Sequence, residues 1–372
     1  ISSEFNEANF KNFIQTTLVL SCIENLQFIK IDDNLEYKKI VVDEELKDKK
    51  QIEIFILKSN KSVERARVKY NEILEKIVKN NTLDLALMAI YNENDLSTWK
   101  LSLVVFDESK KLTNSKRYTF ELGKNIPIKT ALSQLSILDK NSKLEDYLEA
   151  FSVERLVPIF YKELFAIFEQ LIESTRYPND NFNKKQNFIV RLLGRILFLK
   201  FLEKKEIIPS SKFEFKKDYY HEILEPLFFE ILNKQKQNRD SLLLKDEDTN
   251  IPFLNGGLFE PRENEDYYRS ENPHSYIELL KIDDDVLEKL LKLLKEYNFT
   301  VDENTSSNIT VGLDPELLGN VFENLIGYIN PETKESARKQ SGSFYTPKPI
   351  VEHMVSNSIL QYLKIKTEIK RT

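Results

Sequence analysis

The hydrophobic period of this chain changes once, after Pro127, and that change limits the available folds more than any single motif does. Before it come short runs rich in β-branched and aromatic residues: Leu26 to Ile31, Lys39 to Val42, Ile52 to Lys58, Leu83 to Tyr91, Trp99 to Phe106 and Arg117 to Phe120. Each ends at polar turn residues such as Asn34, Asn92-Glu93-Asn94-Asp95 or Asn114-Ser115, which is the pattern of strands. One helix is expected among them, capped by Ser62 and striped by Val63, Ala66, Val68, Tyr70, Ile73, Leu74 and Ile77. Beyond Pro127 the apolar spacing becomes helical over Ile128 to Leu138, Leu144 to Phe151, Val153 to Ser174, Asn183 to Glu206, Tyr219 to Lys236, Asp284 to Tyr297 and Pro315 to Ile326. The expected fold is an α+β N-terminal domain, a small mixed sheet with helices, followed by a mainly α-helical domain. The boundary is expected near Asp139 to Ser142, which gives domains of 1–140 and 141–340 and leaves the stretch 341–372.

Composition narrows the class. With 372 residues and 41% hydrophobic content the chain can bury two or three cores, and eight Gly and twelve Pro leave no room for collagen-like or long linker tracts. Cys22 is the single cysteine, so an internal disulfide framework and a multi-cysteine zinc site are both excluded. It is expected to be a small core residue in a reducing, cytoplasmic setting. The longest apolar run near the start, Leu18 to Ile23, is interrupted by Ser21 and has no basic leader, so neither a signal peptide nor a membrane span is expected. The first residue is Ile1, which suggests a trimmed start. A net charge of −6 argues against coating of nucleic acid by bulk positive field, although local basic faces can still hold phosphate.

The stretch from Gln340 to Asn357 carries the most chemistry. Thr346 is a good N-cap, Pro347 suits the first helical position, and Ile350, Val351, Met354, Val355 and Ile359 recur at helical spacing. Gly342 and Ser343 allow a tight turn ahead of that helix. Orphan N–H groups and the hydroxyls of Tyr345 and Thr346 could then face one small anionic or zwitterionic ligand, though an ordinary helix start has the same pattern. The string Gly342-Ser343-Phe344-Tyr345-Thr346-Pro347 resembles the G-x-[YF]-Y-T-P motif that precedes the catalytic domain of N6-adenine DNA methyltransferases. That resemblance implies that Phe344, Tyr345, Thr346 and Pro347 bind S-adenosylmethionine near its methionine end, and that 341–372 opens a methyltransferase domain. Together with Phe253-Leu254-Asn255-Gly256-Gly257-Leu258-Phe259 and Asp314-Pro315-Glu316-Leu317-Leu318-Gly319, the motif makes Val153 to Leu363 similar to the helical region of type IIG restriction–modification and phage-defence methyltransferases. The first third is only weakly similar.

Other candidates are less specific. The helix from Asn183 to Glu206 is the strongest basic element. Lys184, Lys185, Arg191 and Arg195 on it could grip DNA phosphates, with structural ion pairing as the equal alternative for Arg191 and Arg195. The cluster Lys58, Lys61, Arg65, Arg67 and Lys69 is interleaved with Glu64 and Glu72 and reads as a solvated face. The Gly256-Gly257 loop has no following Lys-Ser/Thr, so it reads as a packing loop and not a phosphate-binding one.

Restriction enzymes often carry a nuclease at this end, which would need an acid followed on the next strand by Glu-x-Lys. Glu36-x-Lys38 has the triplet, but Asp32 and Asp33 are too near to lie on a separate strand, and Glu53 stands five residues from Lys58. Solvated strand ends are the expected reading, so no nuclease centre is assigned. Magnesium would be needed only if such a centre existed, and the first domain is expected to be a degenerate nuclease or a docking domain for a protein partner. No D-P-x-x-G-S-G or [ND]-P-P-[YF] string occurs, so no catalytic residue is assigned. The resemblance then implies the N-terminal part of a methyltransferase, inactive alone, whose complete form acts on double-stranded DNA and involves no membrane. The alternative is a non-catalytic DNA-binding or protein-interaction helical module.

Overall fold

The computed structural model describes residues 2–18, 20, 22–25, 27–42, 46–60, 83–106, 116–178, 182–240, 246–254, 257–262, 266, 280–301, 308–315, 319, 321, 325 and 348–369. The chain divides into two compact units, each assembled from separated stretches: residues 1–167, 200–222 and 284–314 form one, and 168–199, 223–283 and 315–372 the other. The amino-terminal part is α+β and the later part helical, both as expected.

In the first unit, eight strands form one mixed sheet: β1 (Cys22–Asn25), β2 (Ile29–Asp32), β3 (Leu35–Val42), β4 (Ile52–Ser59), β5 (Leu85–Asn92), β6 (Asp95–Val105), β7 (Lys116–Gly123) and β8 (Asn308–Thr310). The order is β1-β3-β4-β5-β6-β7-β8, with β2 also pairing with β3. β4 and β5 are parallel, which requires a crossover between them. The helix expected from Ser62 to Ile77 falls in that connection and lies outside the described residues, as does the side chain of Cys22.

Alternation along the strands sorts side chains onto two faces. Ile52, Ile54 and Ile56 of β4, Leu85, Leu87 and Ala89 of β5 and Leu101 and Leu103 of β6 point into the larger core. That face is covered by α1 (Glu7–Thr16), α2 (Lys129–Leu135) and α3 (Leu144–Ala150), which contribute Phe10, Phe13, Ile14, Ala131, Leu135, Tyr147 and Ala150. Phe55, Leu57, Ala86, Met88 and Ile90 face the opposite side and form a smaller cluster. The segment ahead of α1 is pinned by aromatic packing: Phe5 stacks on Tyr91 at 4.2 Å and meets Trp99 edge-on at 5.4 Å. Each such pair contributes about 0.5–1.5 kcal/mol beyond area burial. Asn6 caps α1 by accepting from the Asn9 N–H at 3.1 Å.

The turn after β7 needs a glycine. Gly123 has φ +134°, and a Cβ there would lie 2.1 Å from the Ser97 carbonyl oxygen. The helix α4 (Val153–Ser174) coincides with its expected span, and α5 (Phe182–Lys204) and α6 (Asp284–Glu296) agree within two residues at each end. The segment Tyr220 to Leu232 is helical as expected but wound mainly as π-helix, with Pro226 between its two π segments. A proline contributes no N–H at that point, so the regular i−4 ladder is already broken there. Strand β8 had no sequence signal of its own: three residues, Asn308 to Thr310, are strand because β7 offers them a parallel edge, with Val311 N–H bonding Thr119 O at 2.7 Å.

In the second unit, a buried guanidinium organises the packing. Arg195 of α5 is 1% exposed and lies against the rings of Phe228 and Phe229, 5.5 and 5.0 Å from their centroids. The final helix α7 (Lys348–Ile369) comes directly after Thr346 and Pro347, which were expected to start it. Ile350, Val351, Met354, Val355, Ile359, Leu360, Tyr362 and Leu363 on it are all exposed, by 42 to 59%.

Candidate functional site

The densest arrangement of ionisable groups among the described residues of the first unit lies at the end of the sheet where β3 begins and β4 and β5 finish. Glu36 and Lys38 share the parity of Ile40, and Lys58 shares that of Ile54 and Ile56, so all three point to the face that α1 covers. Strand register places Glu36 directly opposite Lys58. The Lys58 ammonium donates to Glu36 Oε2 at 2.8 Å and stands 3.5 Å from Glu93 Oε2, just past β5. The Lys38 ammonium donates to Glu7 Oε1, at the start of α1, at 2.5 Å, and Lys11 reaches the same oxygen at 3.2 Å. Both Lys38 and Lys58 also sit over the Phe28 ring, 5.3 and 5.1 Å from its centroid.

Glu36 and Glu93 keep the solvent exposure expected of strand ends, at 34% and 43% of their side chains, but Lys38 does not. Lys38 is only 7% exposed, because closing α1 onto the sheet buries its stem while Glu7 meets its ammonium. Burial works to raise the Glu7 carboxyl, but the bonds and charges of Lys38 and Lys11 outweigh it and hold Glu7 below the ordinary carboxylate value. The bond to Glu36 raises the Lys58 ammonium against the pull of burial, and the charges of Glu36 and Glu93 add to it. Three carboxylates, Glu7, Glu36 and Glu93, face three ammoniums, Lys11, Lys38 and Lys58, so the cluster as a whole is neutral. Chemically it can staple α1 to β3 and β4; a cation could use these carboxylates only by displacing the lysines. Among the described residues no three His, Cys, Asp or Glu side chains converge in a way that could hold a metal ion.

Glu53 belongs elsewhere. It has the parity of Phe55 and Leu57 and pairs with Lys39 at 2.5 Å on the other face, so Glu53 and Lys58 cannot act on one ligand. Glu7, Glu93 and Phe28 carry no motif that marks them in the sequence. The one available signal was parity, which puts Glu36, Lys38 and Lys58 on a common face.

The four residues expected to bind cofactor, Phe344, Tyr345, Thr346 and Pro347, lie outside the described residues. Lys184 and Lys185, in the first turn of α5, are half-buried, and each has an interaction partner. Arg195 adopts the ion-pair alternative. Its Nη1 and Nη2 donate to the two oxygens of Asp266 at 3.1 Å each, its Nε donates to Leu258 O at 2.7 Å, and Nη2 also donates to Glu260 O at 3.1 Å. With its donors spent inside and its side chain 2% exposed, this group presents nothing to a phosphate. Arg191 Nη2 approaches the same carboxylate at 3.5 Å, and Arg262 N–H donates to it at 2.8 Å. The Gly256-Gly257 loop is therefore a packing loop at its described end, held to α5 by Arg195.

A protein-family model described as "Domain of unknown function (DUF7814)" matches residues 159–311. The chain is also 32% identical over 193 residues to a protein of Methanocaldococcus jannaschii that bears the name of a type II restriction enzyme and methyltransferase. That match takes in 49% of this chain and 15% of the relative, so the chain spans a small part of the relative's length. No solved structure matches the chain. Among the described residues no helix is long and apolar enough to cross a membrane.

Proposed function

We propose that this chain is the amino-terminal region of a site-specific adenine-N6 DNA methyltransferase of the type IIG restriction–modification or phage-defence kind, acting on duplex DNA with S-adenosylmethionine. The observation that carries the reading is the similarity over about half of the chain to a relative named for both restriction and methyl transfer. The Gly342-to-Pro347 string and the helix α7 directly after it agree with that reading. Phe344, Tyr345, Thr346 and Pro347 would hold the methionine end of the cofactor, which supplies the methyl group. The stretch 141–340 bridges the first domain to the catalytic one, with Lys184 and Lys185 bracing DNA. The exposed apolar residues of α7 are those a domain core would cover. Methyl transfer further needs the adenine N6 held in line with the sulfonium carbon after the base leaves the stack, and this chain has no [ND]-P-P-[YF] string to hold it. In the complete enzyme, Tyr345→Ala and Thr346→Ala should each weaken cofactor affinity, measured by calorimetry, and leave the melting temperature unchanged; unaltered affinity in both would remove the assignment.

A further inference from the structure

We draw no further inference here: the strongest candidate, the exposed apolar surface of α7 from Ile350 to Leu363, belongs to the reading already given, and nothing in the structure shows what covers it.

Discussion

Removing the Asp266 carboxylate tests whether Arg195 is structural. In the Asp266→Ala variant the guanidinium keeps its bonds to Leu258 O and Glu260 O but loses both carboxylate contacts, and it stays enclosed by Phe228 and Phe229. Both partners are sealed from water, Arg195 at 1% exposure and Asp266 at 0%, so the positive charge is left buried and unpaired. Breaking a buried pair from one side costs about 3–5 kcal/mol. At about 2–4 °C per kcal/mol for a domain of this size, the transition of the second unit should fall by roughly 6–20 °C. Differential scanning calorimetry reads this directly, because a chain of two units need not melt in one step. The double variant Arg195→Met with Asp266→Leu removes both charges and should recover much of the loss. A shift under about 2 °C for Asp266→Ala would refute the burial argument. So would an Arg195→Gln protein that melts normally but binds duplex DNA less tightly at low salt, since that would make Arg195 a phosphate contact after all.

The first unit supplies two further tests. Gly123→Ala must place a methyl group 2.1 Å from the Ser97 carbonyl at φ +134°, and the strain alone costs about 1–3 kcal/mol, so a lowered melting temperature and reduced soluble yield are expected; wild-type stability would show that the turn relaxes freely. Glu7 is held below its ordinary value of 4.5, so its contribution is complete above that pH and is lost as pH falls through its lower folded value. The stability gap between wild type and Glu7→Gln should be widest near neutrality and close in acid below pH 4.5, and a gap that stays constant across that range in a series of thermal melts would contradict it.

Legibility in the sequence tracks the range of the forces involved. The spans of β4, β5 and α4 were legible because period and flanking turn residues are local properties. The edge strand β8 was not, since its hydrogen bonds come from β7, nearly two hundred positions earlier in the chain. The π winding from Tyr220 to Leu232 was hidden for a related reason: Pro226 breaks the ladder locally, but packing decides how the carbonyls re-pair. Arg195 left two readings open from sequence because an i,i+4 pair of arginines looks the same whether it faces phosphate or a carboxylate. The deciding partner, Asp266, lies 71 residues away in a stretch of sequence with no apolar periodicity to announce it. Lys38 escaped for a different reason, because a lysine on a half-buried strand is ordinarily solvated and only the docking of α1 makes this one a core residue.

Strand parity also separates two properties that charge counting would merge. β3 and β4 carry acid–base pairs on both faces: Glu53 with Lys39 on one, and Glu36 with Lys58 and Glu7 with Lys38 on the other. Isolated pairs of this kind contribute little net stability, since solvent screens the exposed ones and desolvation offsets the buried ones. Charge pairs occur on both faces of the sheet, with Lys100 and Glu121 at 3.7 Å on the same face as Glu53 and Lys39; the face under α1 differs in gathering six charged side chains around one aromatic ring. An apolar residue in place of Lys38 would join Ile40 and Ile54 in the core without the cost of burying an ammonium. The crowded face joins α1 to β3 and β4, and Glu53 with Lys39 on the opposite face supply the internal control for substitutions in it.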